Sequence, residues 1–273
     1  MLANLYALGA IALWATLASL GVTLRHVPPF LLTGLALLIG SIPAWPRFAQ
    51  WRVPPATLAL GVYGLFGFHF LLFIALRHAP PVQANLVNYL WPLLMVVLAP
   101  VLLRGVQLAP LHVIAALVGF AGAAIAIAGG RTLEPGFAWG YLPAAGSAFI
   151  WASYSLLTQR VARFPTAAIG GFAAISGLLA LLCHALLEPP ATLSGQDWLL
   201  IALMGAGPLG GAFFLWDAAL KRGDARSIGL LSFLTPLLST LLLLLLRGDW
   251  PTPSIALAAV MIVGAALVGT RAR

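Results

Sequence analysis

The chain has 273 residues, is 62% hydrophobic and only 7% charged, and carries a formal net charge of +8. A water-soluble domain carries roughly a quarter charged residues, so this composition excludes a soluble globule and places the chain in a bilayer. The basic residues lie singly or in pairs between apolar runs, which marks membrane-flanking charge rather than a nucleic-acid surface, and the lone Cys183 excludes an intrachain disulfide or a cysteine metal cluster.

A span needs about 20 mostly apolar residues. The pattern predicts an all-α integral membrane protein with ten helices, at 3–24, 28–46, 55–77, 81–103, 108–129, 136–160, 166–187, 196–220, 225–247 and 252–270. Prolines and charges mark the breaks, as in Arg77-His78-Ala79-Pro80-Pro81 and Glu188-Pro189-Pro190. The first helix lacks a basic leader and reads as a retained span. It carries Trp14 and a weak polar stripe of Thr16, Ser19 and Thr23. In the third, Tyr63, Phe66, Phe70 and Phe73 form an aromatic stripe with His69 beside it. Gly61, Gly64 and Gly67 there permit close helix approach. In the fourth, Asn85, Asn88, Tyr89 and Pro92 share one face, with Trp91 between them. The sixth presents Ser147, Trp151, Tyr154, Ser155 and Thr158. The eighth has a glycine-rich stretch and Asp217 one turn before Lys221. The ninth repeats the fourth's spacing with Ser232, Thr235, Pro236 and Ser239.

Polar groups in hydrocarbon are costly and avoid lipid. The serines and threonines read as interhelical glue. The asparagines with Tyr89, Trp91 and Trp151 read as the wall of a cavity, because polar-tipped aromatics deep in a bilayer need partners. His69 reads equally as a substrate or proton ligand and as a neutral histidine bonded to a neighbouring helix. Asp217 reads as an internal pair with Lys221 at i+4. No other carboxylate falls mid-span, which favours neutral or zwitterionic cargo. The five histidines are scattered, so no metal site or cofactor is expected. No nucleophile–base pair is visible, so no enzyme is expected.

Two phrases explain the organisation. Residues 86–94 read LVNYLWPLL and residues 230–238 read LLSFLTPLL. At the same offset Gly61 and Gly67 match Gly205 and Gly211, and Ala75-Leu76-Arg77 matches Ala219-Leu220-Lys221. Trp14-Ala15 resembles Trp151-Ala152 at a slightly shorter offset. The chain therefore divides into two five-helix halves, 1–132 and 133–273. Five is odd, so the second half enters the membrane inverted, the arrangement that lets two halves swap conformations around a central cavity in alternating access. The matched Pro92 and Pro236 free backbone carbonyls one turn back and are candidate hinges. Basic residues are denser at the helix ends that share a side with both termini, which places those termini in the cytoplasm. A fused inverted pair needs no partner to complete its symmetry, which points to a monomer.

The ten spans, the fivefold halves and the Leu-x-Pro-Leu-Leu phrase resemble the drug/metabolite transporter superfamily, and within it the EamA-type exporters, over essentially the whole chain. The cluster Asn88-Tyr89-x-Trp91-Pro92 is similar to that of the aromatic amino acid exporters of bacterial inner membranes. The resemblance implies a basket of two inverted halves around a central cavity and export of aromatic and other neutral amino acids. It assigns substrate contact to Trp14, His69, Tyr89, Trp91 and Trp151, with Phe73, Asn85, Asn88 and Tyr154 on the neighbouring stripes. The second half has Ser232-Phe233-Leu234-Thr235 where the first has Asn-Tyr-x-Trp, so the cavity should be asymmetric. The alternatives are export of another small metabolite or drug, and a membrane scaffold without transport.

Overall fold

A computed structural model describes residues 2–128, 133 and 136–271. Arg131 and Arg273, two of the basic residues at helix ends, and residue 132, the expected end of the first half, lie outside the described residues. Among the described residues the chain forms ten helical segments. They are α1 Leu2–Thr23, α2 Pro29–Trp51, α3 Pro55–His78, α4 Pro81–Leu102, α5 Pro110–Ala128, α6 Tyr141–Leu157, α7 Ala168–Leu187, α8 Gly195–Leu220, α9 Ala225–Arg247 and α10 Pro253–Arg271. Eight of them are long and apolar enough to cross a membrane; α6, with 17 residues, and the apolar stretch Pro253–Gly269 of α10 are shorter.

Half of the helix starts follow from proline, whose fixed φ and missing N–H suit the first turn; α2, α3, α4, α5 and α10 each begin with one. The sixth helix begins later than the sequence predicts. Gly136 has φ +108°, outside the helical region, and the helix starts only after Gly140. The second runs on past its predicted end as a 3₁₀ segment, Ile42–Trp51. Prolines 43 and 46 cannot donate the helical bond there, which disfavours the α form.

The spans are not uniform rods. Tyr63–Gly67 in α3 and Gly207–Gly211 in α8 are π-helical turns, at the same offset as the matched prolines. The α-helical course of α4 is broken at Tyr89–Leu90, and that of α9 at Ser232–Phe233. Irregularities of the same kind thus recur in α3 and α8 and in α4 and α9. In the core α2 lies along α7, α5 along α10 and α1 along the second part of α8. At the α2–α7 crossing a methyl on Gly34 would fall 3.0 Å from the Gly177 carbonyl oxygen, and one on Gly177 2.9 Å from that of Gly34. Only glycine lets the two backbones meet so closely. The outer surface is apolar. Leu178, Leu182 and Leu186 on α7 and Val260 on α10 are more than half exposed, as lipid-facing helix surfaces are.

Candidate functional site

Between the helices lies a cavity of about 500 Å³. Eight of the nine expected substrate contacts line it: Trp14, His69, Phe73, Asn85, Asn88, Tyr89, Trp91 and Trp151. Tyr154 does not. Its ring sits against Gly64 behind the wall and meets Trp151 at 5.4 Å, tilted by 43°. Of the two candidate hinges, Pro236 lines the cavity, and Pro92 is buried behind the wall with its carbonyl against Gly229 of α9.

The floor is a cluster of four tryptophans. Trp14 and Trp151, the residues matched between the halves, meet edge to face at 5.7 Å. Trp91 contacts both at 6.4 Å. Below them the fully buried Trp216 of α8 sits 5.1 Å from Trp14 and 5.7 Å from Trp91. Such ring contacts are each worth about 0.5–1.5 kcal/mol beyond area burial. Two bonds orient the cluster: Trp14 donates its indole N–H to the Pro208 carbonyl in the π turn of α8 at 3.0 Å, and Trp216 donates to Ser155 Oγ at 3.1 Å. Phe68 and Phe213 complete the aromatic wall, at 5.3 and 5.6 Å from Trp151.

Polar atoms in the lining are few. His69 Nδ1 donates to the Leu65 carbonyl at 2.6 Å, one turn back on its own helix rather than on a neighbouring one. A carbonyl only accepts, so Nδ1 carries the hydrogen and Nε2 of the neutral ring is left as an acceptor. Asn88 is tied to Ser147 of α6 at 2.8 Å. Thr235 Oγ1 on the opposite wall is buried without a partner. The two asparagines lie on α4, and the polar residues that α9 lends to the lining are the hydroxyl-bearing Thr235, Ser239 and Thr240.

The cavity lining reaches Gly21, Leu32, Leu76, Asn85, Ile127 and Leu243, all near one end of their helices. The other end is shut below the tryptophans. There Gln159 donates to the Leu220 carbonyl at 3.0 Å, and Asp217 accepts from Lys221 and Thr166, both at 2.6 Å. The Lys221 ammonium also lies 3.9 Å from the Phe164 ring. Asp217 and Lys221 thus form the expected pair within one helix, away from the cavity lining, and Thr166, just before α7, is the partner that ties Asp217 to another helix.

Phe68, Phe213, Trp216, Met204 and Thr33 were not singled out from sequence. Single apolar residues on an apolar helix carry no signal until the fold brings them together. Phe213 and Trp216 share a face at i, i+3, the one hint available.

A bundle of apolar helices around one aromatic-walled cavity, open at one end and closed at the other, defines a membrane carrier of small organic solutes. The chain belongs to the EamA-like transporter family, which matches it over residues 1–128 and 138–270. It is 43% identical to a protein of Ancylobacter novellus named aromatic amino acid exporter YddG, over 98% of this chain and 96% of that one. Proteins of the same name from Salmonella typhimurium and Escherichia coli are 29% and 27% identical, covering 90% and 97% of this chain and 89% and 96% of theirs. A crystal structure of a protein 43% identical superposes with a TM-score of 0.92, over 98% of this chain and 96% of that one. The chain is a multi-pass membrane transporter and not an enzyme.

Proposed function

We propose that this protein exports aromatic and other neutral amino acids across the bacterial inner membrane by alternating access. The observation that carries this reading is the cavity: its volume of about 500 Å³ and its ring of Trp14, Phe68, Trp91, Trp151 and Phe213 suit an aromatic side chain, and the relatives bear the name of aromatic amino acid exporters. The aromatic group stacks on the tryptophan floor. His69 Nε2 accepts from the substrate ammonium, and the amides of Asn85 and Asn88 donate to its carboxylate.

All ten helical segments cross the bilayer as two inverted five-helix halves, 1–132 and 133–273, working as a monomer. The repeated π turns and helix breaks, and the family match in each half, support this. Both termini are cytoplasmic by the distribution of arginine and lysine. The open end of the cavity then faces the periplasm, and the tryptophan floor seals the cytoplasmic side. Pro92, Pro236 and the two π turns are where α3, α4, α8 and α9 bend as the access side changes.

The test is counterflow into proteoliposomes of the purified chain: labelled phenylalanine outside, excess unlabelled amino acid inside. Concentrative uptake that Trp91→Ala abolishes supports the reading. Absence of exchange with phenylalanine, tyrosine and tryptophan, from protein that is folded, rejects the substrate class and leaves a carrier of another solute.

A further inference from the structure

We infer that the segment from Ile42 to Arg52, at the end of α2, is a membrane-surface platform that holds the phosphate headgroup of an anionic phospholipid. The α-helical part of α2, Pro29–Ser41, has 13 residues and spans about 20 Å. The 3₁₀ turns of residues 42–46 add about 10 Å, which completes the ~30 Å hydrocarbon layer. At that depth Arg47 leaves the helical region, with φ −111° and ψ 30°. The chain then turns across the end of α7 instead of continuing along it. Ala44 and Trp51 are seven residues apart, which in a straight 3₁₀ helix means about 14 Å, yet they seat on adjacent residues. A methyl on Gly170 would lie 2.4 Å from Ala44 Cβ, and one on Gly171 3.2 Å from the Trp51 ring. This pair of glycines is the notch that holds the turn at headgroup level.

The outward face fits that place. Ile42 and Trp45, three apart in the 3₁₀ turns before the break, share a face, and they and Phe48, just past the break, are 47%, 57% and 63% exposed. Trp45 spends its indole N–H on Ser41 Oγ at 3.0 Å, so its exposed face is carbon. Arg47 and Arg52 flank the ridge, both exposed, and among the described residues neither guanidinium has a carboxylate within salt-bridge distance. An apolar ridge with two unpaired guanidiniums at the edge of the hydrocarbon is the chemistry of anionic lipid binding, and guanidinium pairs with phosphate in bidentate fashion. No cavity residue belongs to this segment, so the proposal is independent of the transported solute.

The experiment places the photo-cross-linking residue p-benzoylphenylalanine at Phe48, and at Val260 as a lipid-facing reference. The chain is reconstituted in mixed phosphatidylglycerol and phosphatidylcholine, and the cross-linked species are identified by mass spectrometry. Phosphatidylglycerol is expected to be enriched at Phe48 over the bulk ratio by about fivefold per arginine, at bulk ratio at Val260, and at bulk ratio at Phe48 once Arg47→Gln and Arg52→Gln are combined. Bulk-ratio cross-linking at Phe48 in the parent chain, enrichment unchanged by the double substitution, or cross-links to a second copy of the chain would each overturn the proposal. If the Phe48 variant fails to assemble, the same measurement at Ile42 decides.

Discussion

Replacing Gly64 by alanine probes how the cavity wall is held. A methyl there would lie 2.3, 2.4 and 2.7 Å from Cγ, Cδ2 and Cδ1 of Tyr154. Carbon atoms pack at about 3.5–4.0 Å, so the ring must retreat by more than ~1 Å. Cγ is anchored one bond from Cβ, and a rotamer change alone cannot clear it. Behind the ring stands Trp151, 5.4 Å away between centroids. The remaining outcome is that α3 and α6 part, at the cost of overpacking, about 1–3 kcal/mol. Gly67→Ala is the control, since its methyl meets only the Ile150 side-chain end, at 3.3 Å. Both changes gain up to ~1 kcal/mol of helix propensity, so their difference isolates the clash. Reversible unfolding in mixed micelles should place Gly64→Ala below Gly67→Ala by about 1–3 kcal/mol. Tyr154→Ala should relieve much of it, with a coupling energy of at least about 1 kcal/mol in the double-mutant cycle. Phenylalanine exchange should weaken in Gly64→Ala because Trp151 shifts with Tyr154. Equal stability of the two alanine variants, or additivity in the cycle, would refute the contact as the support of the wall.

Three further outcomes are expected. His69→Leu removes the acceptor for the substrate ammonium, worth about 1.5–3 kcal/mol for a charged hydrogen bond; phenylalanine binding weakens while competition by 3-phenylpropionate, which lacks the amine, is unchanged, and equal losses for both would contradict the assignment. Glu188 has a fully buried carboxylate that accepts from Arg77 at 2.7 Å, His184 at 3.0 Å and the backbone N–H groups opening α2; Glu188→Gln lowers stability by about 1–3 kcal/mol and Glu188→Leu by more, with identical unfolding midpoints as the disproof. Burial pushes the Asp224 carboxyl up, but the hydrogen bonds from Arg226 outweigh it and hold the group below its ordinary range. Its stabilising contribution is therefore complete at neutral pH and is lost as the pH falls through that depressed value; a pH–stability profile should lose this part of its acid limb in Asp224→Asn.

The spans were legible because their signal is additive: twenty apolar residues between proline and arginine outweigh any one residue. The cavity wall was legible where polar-tipped residues recur at helical spacing, as at Asn85, Asn88 and Tyr89. The aromatic stripe of α3 shows where periodicity fails. Its residues share a face only in an unbroken α-helix, and the π turn at Tyr63–Gly67 inserts an extra residue per turn. Tyr63 consequently bonds Ser153 at 2.8 Å away from the cavity, while Phe70 and Phe73 pack on Phe30 at 5.7 and 5.4 Å. The glycines of that stretch read as close-packing positions, and nothing in the sequence distinguishes a glycine that admits a neighbour from one that widens a turn. Tyr154 sits on the predicted stripe of α6, but its neighbour Trp151 takes the cavity face and leaves it the space over Gly64.

The two ends of the bundle are held by different physics, and alternating access requires their energies to be close. At the closed end the polar ties between helices include Gln159 to the Leu220 carbonyl and Thr166 to Asp217, whose other partner, Lys221, lies on its own helix. Each nets only about 0.5–1.5 kcal/mol, or somewhat more where a charge takes part. The second carboxylate oxygen of Asp217 is buried and unpartnered, which subtracts from the tie rather than strengthening it. The tryptophan floor does not distinguish the states by burial alone, since its rings can remain packed on one another while the helices around them tilt. The open end is pinned differently. Glu188 joins α2, α3 and the end of α7 through charge-assisted bonds. Those bonds link the three helices to one another. A carrier whose two states differ by a few kcal/mol can be shifted by the differential affinity of a small solute. A closure made of a few modest ties beneath a self-contained aromatic floor meets that condition, and a fully satisfied buried ion-pair network at the same place would not.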